Sequence, residues 1–181
     1  MHDARIGVVY NMAPQPPSEK DTTWFAAGAI SIGVEYRDVN PDDLLALYQD
    51  DPAQLKELLE KSPDGGFSDN GVSIHVRDAA DGYEYLRFDC FDNEPHYHYI
   101  HNATDPFINN VVAYDPFASG DMLAFTLGCL RTRLADMLPR AGAGHLVGQL
   151  DAAVVAATVE KVDAIASAAL ANVRRLQSAA G

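Results

Sequence analysis

The chain has 181 residues, 48% of them apolar, and a formal net charge of −13. This length and apolar content suit one globular domain with a hydrophobic core and exclude a disordered chain. The acidic charge disfavours nucleic acid and anionic membrane surfaces as partners, because it repels phosphate groups. Two cysteines are too few for a secreted disulfide framework, and no apolar stretch reaches the roughly 20 residues that cross a bilayer. We therefore expect one soluble, cytoplasmic domain over residues 1–181.

The N-terminal part predicts strands. Residues 5–12 are β-branched and apolar and predict a first strand, whereas residues 13–21 carry three prolines and predict a loop. Residues 23–38 predict one long strand, because apolar side chains alternate with polar ones between Ile30 and Tyr36, as in a strand with one buried face. Glu35 and Arg37 then share the other face, where a solvated surface pair is the expected outcome.

A helix is predicted over residues 41–61, inserted between strands. Asn40 is a capping side chain and Pro41 suits the first helical position, where an amide proton has no partner. A break is expected near Asp51 and Pro52, because proline cannot donate to the preceding turn.

Two hairpins follow. Residues 71–77 and 83–91 alternate in polarity around a turn that ends at Gly82, and His75 is predicted to point outward to solvent. Residues 96–101 and 107–114 form the second hairpin, with a turn over residues 102–106.

The C-terminal part, residues 119–181, predicts helices. Broad apolar stripes run along residues 119–138 and along the alanine-rich residues 149–177. The fold class predicted is therefore α+β: an antiparallel sheet of about six strands over residues 1–118, with a pair of C-terminal helices packed on one side.

Residues 88–102 concentrate the groups that bind metals or move protons. They include three of the six histidines, with several carboxylates just before them. Counting alternate positions onward from Leu86 and Phe88, we predict that Asp92, Glu94, His96 and His98 share the core face. Buried charges need a partner or an ion, so this pattern indicates a site.

The site predicted is a metal centre. Two imidazoles two residues apart on a strand, with one nearby carboxylate, make a three-ligand set for zinc or iron: His96, His98 and Asp92. Glu94 is the candidate general base, and His101 is a further ligand or a proton relay. The function predicted is a metal-dependent enzyme that acts on a small molecule.

Two short resemblances accompany these histidines. The His96–x–His98 pair resembles the first metal motif of cupins, although His101 and Asn102 stand where that motif places glutamate. The spacing of the three histidines is also similar to the HxHxDH motif of metallo-β-lactamases, with Ile100 in place of aspartate. Both resemblances are confined to residues 96–102, and neither assigns a family.

A second function remains open from the sequence. The chain has no GxGxxG or GxxxxGK[ST] motif, which disfavours nucleotides, and no GxSxG or HExxH motif. The alternative is a non-catalytic binding or accessory subunit that forms a homo- or hetero-oligomer. The small residues of the last helix favour a homo-oligomer assembled through the C-terminal helices.

Overall fold

The computed structural model describes residues 6–101 and 108–179. They form a mixed α/β structure built on one antiparallel sheet of seven strands, in the order β1-β7-β6-β5-β4-β3-β2. The strands are β1 (Val8–Tyr10), β2 (Thr23–Ala27), β3 (Ile30–Val39), β4 (Asp69–Asp78), β5 (Glu84–Phe91), β6 (His96–His101) and β7 (Ile108–Ala113). The sheet has seven strands where the sequence predicted about six, because residues 23–27 and 30–39 are two separate strands that pair with each other. The predicted turn over residues 102–106 lies outside the described residues.

Seven helices complete the described part of the chain. They are α1 (Pro41–Tyr48), α2 (Pro52–Lys61), α3 (Pro116–Ser119), α4 (Met122–Thr132), α5 (Leu134–Arg140), α6 (Gly144–Val147) and α7 (Ala152–Ala179). The single helix predicted over residues 119–138 is interrupted, because Arg133 leaves helical geometry with φ −125° and ψ −4°. No helix within the described ranges is both long and apolar enough to cross a membrane.

The inserted helix divides as predicted. The Asn40 side chain accepts a hydrogen bond from the Asp43 amide at 2.9 Å and so caps α1. Asp51 accepts from the amides of Ala53 and Gln54, at 3.0 and 3.1 Å, and Pro52 opens α2. The proline therefore ends one helix and starts another rather than kinking a continuous one.

One face of the sheet carries the main hydrophobic core. Ile32, Ile74 and Phe88 are fully buried there, and α7 packs against β2, β3 and β4 while α4 packs against β5. We call this the helical face. The prediction that apolar side chains alternate along β3 onto the core is confirmed.

The opposite face is also covered, although its side chains are polar. Met12, Tyr48 and Leu58 form a smaller hydrophobic cluster that brings α1, α2 and the loop after β1 together. The Tyr48 hydroxyl donates to the carbonyl of Ala13 at 2.5 Å and so ties α1 to this loop. We call this side the polar face, and it carries the candidate site.

Candidate metal centre

The register of β5 and β6 places two histidines on the polar face. His96 pairs with Asp89 and His98 with Arg87, and paired residues of an antiparallel ladder point to the same side. Phe88, on the helical face, pairs instead with Tyr97. The prediction that His96 and His98 share the face of Leu86 and Phe88 was therefore wrong.

A short turn between β5 and β6 is anchored from β4. The buried carboxylate of Asp69 accepts hydrogen bonds from the amides of Asn93, at 3.2 Å, and Glu94, at 2.7 Å. These bonds satisfy the turn amides just before Pro95, where the chain reverses into β6. The position of His96 therefore depends on a carboxylate one strand beyond its own hairpin.

Three ligand atoms converge at this point. The Nε2 atoms of His96 and His98 lie 3.2 and 3.0 Å from the same oxygen, Oδ2 of Asp89. Ligands around zinc or iron, at bond lengths of about 2.0–2.2 Å, are separated by about 2.8–3.6 Å along the edges of the coordination polyhedron. Asp89, His96 and His98 thus form a group that could hold a metal ion.

Both imidazoles are oriented through their other nitrogen. His96 Nδ1 donates to the carbonyl of Glu94 at 2.6 Å, and His98 Nδ1 donates to the side-chain oxygen of Asn109 at 2.8 Å. In a neutral ring the proton then lies on Nδ1, so the bare Nε2 faces Asp89. Hydrogen bonds of this kind fix the tautomer and direction of metal-binding histidines.

Protonation in the cluster follows from burial and from the shared carboxylate. Burial lowers the pKa of His98, and the neighbouring Asp89 does not fully offset it. Burial also lowers the pKa of the more accessible His96, but there the hydrogen bond and charge of Asp89 outweigh it, and the pKa is raised. The pKa of Asp89 lies well below its ordinary value, because the two imidazoles overcome the effect of burial. Asp89 is therefore a carboxylate near neutral pH, and Ser73 donates a hydrogen bond to its second oxygen.

The cluster lies at the floor of a cavity of about 620 Å³. This volume falls within the range of small-molecule sites. The floor comes from the sheet, and the walls come from α1, α2 and the loop after β1. The lining includes Arg37, Arg87, Asp89, His96, His98 and Asn109, together with the apolar side chains of Met12, Leu44, Tyr48, Leu58, Phe67 and Phe91.

A charged network lies beside the cluster on the polar face. His75 is fully buried, with Nδ1 2.6 Å from Glu84 and Nε2 3.2 Å from Glu35. Arg87 donates to both oxygens of Glu84, at 2.9 and 2.6 Å. Two sequence-based expectations were therefore wrong. His75 is not a surface residue, and Glu35 and Arg37 are only 6% and 7% exposed.

The structure separates the predicted site residues. His96 and His98 lie in the cluster, whereas Asp92 is exposed in the turn and is not among the three grouped ligands. Glu94 is exposed at the cavity. His101 lies on the helical face, where its ring approaches Gly142, so the sheet separates it from the other two histidines.

Asp89 is the ligand that sequence reasoning missed. It stands between Phe88 and Cys90, in a strand whose apolar alternation draws attention to its neighbours. The available signal was the alternation itself, which puts Asp89 opposite the apolar face. Grouping Asp89 with the two histidines also requires the register between β5 and β6, which the alternation alone does not give.

The fold and the three convergent ligands define an α+β protein with a candidate metal centre. The chain belongs to a family of domains of unknown function, DUF7700, whose profile matches residues 24–166. No curated protein and no solved structure matches the chain. The matched range includes all three grouped ligands, Asp89, His96 and His98. The case for a metal centre rests on the distances between these ligands.

Proposed function

We propose that this chain is a metal-dependent enzyme that acts on a small molecule, with Asp89, His96 and His98 as the ligands of zinc or iron. The observation that carries the proposal is the convergence of two Nε2 atoms on one carboxylate oxygen at 3.2 and 3.0 Å. Both rings already use Nδ1 in hydrogen bonds to oxygen atoms. When both rings are neutral, their Nε2 lone pairs face the carboxylate of Asp89. A cation bound between the two rings and the carboxylate would stabilise this arrangement.

The ligand set suits these two metals. Two histidines and one carboxylate are a known set for catalytic zinc and for non-haem iron, both of which keep positions open for water or substrate. Bound here, such a metal would supply Lewis-acid chemistry or lower the pKa of a bound water. The cavity directly above the cluster is the space that those open positions would face.

The remaining groups supply orientation and proton transfer. Ser73 and Asn109 hold Asp89 and His98 in place. Glu94 is the carboxylate we propose as general base, since it lines the cavity beside His96 and remains exposed to exchange its proton with water. His101 has no part in this proposal, because it lies on the other side of the sheet.

Metal content tests the site. We expect elemental analysis of the purified protein, and titration of apoprotein with Zn²⁺ and Fe²⁺, to give one metal per chain. Asp89→Asn and His98→Ala should each weaken binding by about 100-fold or more, since the loss of even an outer-shell partner typically costs about 10- to 100-fold. Asp92→Asn is the matched control, because it removes the carboxylate that the sequence favoured and should leave binding unchanged. Failure of the wild type to bind either metal, or equal binding by Asp89→Asn, refutes the metal centre.

Catalysis needs a separate measurement. Metal-loaded wild type, and His96→Ala treated with the same metal, would each be incubated with a small-molecule extract. Mass spectrometry would identify compounds that only the wild type consumes. A metal-loaded protein that consumes nothing would refute the enzyme and favour the binding or accessory subunit that the sequence also allows.

A further inference from the structure

Arg37 is a buried cation that lines the cavity and donates no hydrogen bond to a carboxylate among the described residues. Only 7% of it is exposed. Its hydrogen bonds run from Nη2 to the side-chain and backbone oxygens of Gln15, at 2.7 and 3.4 Å, both of which are neutral. The carboxylate of Glu35 lies 3.9 Å from Nε, beyond hydrogen-bonding distance. Among the described residues, therefore, no carboxylate accepts a hydrogen bond from Arg37.

The other cations of the cavity, Arg87 and Lys61, each donate a hydrogen bond to a carboxylate. Arg87 binds both oxygens of Glu84 through Nε and Nη2. Lys61 Nζ donates to Glu57 and to the carbonyl of Val9, each at 2.5 Å. A guanidinium carries five N–H donors in a plane that matches a carboxylate. Arg37 is thus the group in the described cavity that is best placed to receive an anion.

The apolar residues of the cavity favour a ligand whose uncharged part is apolar. Met12, Tyr48 and Leu58 are buried together, and Leu44 and Tyr10 pack against them. All five line the same cavity as Arg37. A ligand that fills this space must cover hydrocarbon and aromatic surface while directing its charge at one guanidinium.

A neighbouring acid limits that charge to one. Glu35 approaches Arg37 at 3.9 Å, so one carboxylate already lies beside the guanidinium. A second negative charge on the ligand would be repelled by Glu35 in a site of low dielectric. A carboxylate therefore fits better than a phosphate dianion.

The register sets the distance from Arg37 to the metal ligands. Arg37 pairs with Gly71, which pairs with Phe91, so two strand spacings and two residues separate Arg37 from Asp89. With strands about 4.8 Å apart and a rise of about 3.4 Å per residue, their Cα atoms lie about 12 Å apart. A small acid held by its carboxylate at Arg37 can extend its other end to the cluster.

We infer that the ligand of this cavity is an apolar monocarboxylic acid, with its carboxylate on Arg37 and its body against α1 and α2. Its role as substrate rests on the proposed function, whereas its binding at Arg37 does not. The inference concerns a chemical class: a single planar anion on an apolar or aromatic chain.

The test compares acids with their own amides. Benzoate, 3-phenylpropionate and octanoate would be titrated into wild-type protein by calorimetry, each beside its neutral primary amide, with inorganic phosphate as a further probe. We expect at least one acid to bind about 10- to 100-fold more tightly than its amide, because the amide loses a charge-assisted pair. Arg37→Met should remove this preference while leaving zinc binding intact. The matched control Arg131→Gln removes an arginine that pairs with Glu160 on the helical side and should change nothing.

The outcomes separate this inference from the proposed function. No acid bound more tightly than its amide, an unchanged preference in Arg37→Met, or phosphate bound more tightly than every acid would each overturn it. Acid binding at Arg37 in a protein that binds no metal would leave it standing and refute the metal-dependent enzyme. A metal-loaded protein without acid preference would overturn the inference at Arg37 and leave the metal centre standing.

Discussion

Replacing His96 by alanine should abolish the stabilisation of the protein by zinc. A metal present at 100 times its dissociation constant adds about 2.7 kcal/mol to the free energy of unfolding. For a chain of this length, each kcal/mol moves Tm by about 2–4 °C, so zinc should raise the Tm of the wild type by about 5–11 °C. His96→Ala removes one of three ligands and should show almost none of this increase.

The same substitution also has a cost without metal. The side chain of His96 is 13% exposed, contacts Asp89 at 3.2 Å, and stacks edge-on against Phe67 and Phe91 with ring centroids 5.9 and 5.6 Å apart. Losing this aromatic packing should destabilise the apoprotein by about 1–3 kcal/mol. The informative quantity is therefore the difference in Tm with and without zinc, measured for each variant by thermal unfolding.

His145 supplies the matched control, because it forms another histidine–aspartate contact elsewhere. Its Nε2 lies 3.4 Å from Asp78, and its side chain is 54% exposed. His145→Ala should cost less than about 1 kcal/mol and keep the full zinc-dependent rise. A full rise in His96→Ala, or an equal loss of the rise in His145→Ala, would refute the assignment of the ligands.

Two further outcomes test the polar face outside the cluster. Gly33→Ala should destabilise the fold by about 1–3 kcal/mol in urea unfolding, because its Cβ would lie 2.6 Å from the Trp24 ring, and a neutral effect would show that this ring moves freely. Burial alone would raise the pKa of Glu84, but Arg87 and His75 hold it well below its ordinary value of 4.5. Its contribution to stability is thus complete above about pH 4.5 and is lost as the pH falls toward the lower folded-state pKa, so wild type should lose stability on acidification more steeply than Glu84→Gln.

Local patterns in the sequence predicted most of the elements. The capping side chain of Asn40, the proline at position 52 and the alternation along β3 each act within a few residues, so the sequence shows them directly. The two hairpins follow from the same local alternation. The seventh strand was missed because the chain turns at Gly28, between β2 and β3, and the two strands together look like one long strand in the sequence.

Local sequence patterns do not show which face of the sheet carries the candidate site. Asp89 pairs with His96 and Leu86 with Tyr99, so odd positions of β5 face the same way as even positions of β6. The length of the intervening turn sets this exchange, and the turn is held by Asp69 from another strand. A count that continues through Pro95 therefore assigns every side chain of β6 to the wrong face.

By itself the sequence determined most of the strands and helices, and that His96 and His98 share a face. Only the tertiary structure decided which face it is, and that Asp89 rather than Asp92 joins them. It also decided that Arg37 and His75 are buried: Gln15 of the loop after β1 accepts a hydrogen bond from Arg37, and the Trp24 ring lies beside His75. Strand register and coverage depend on contacts between residues far apart in the chain, and such contacts leave no periodic trace in the sequence.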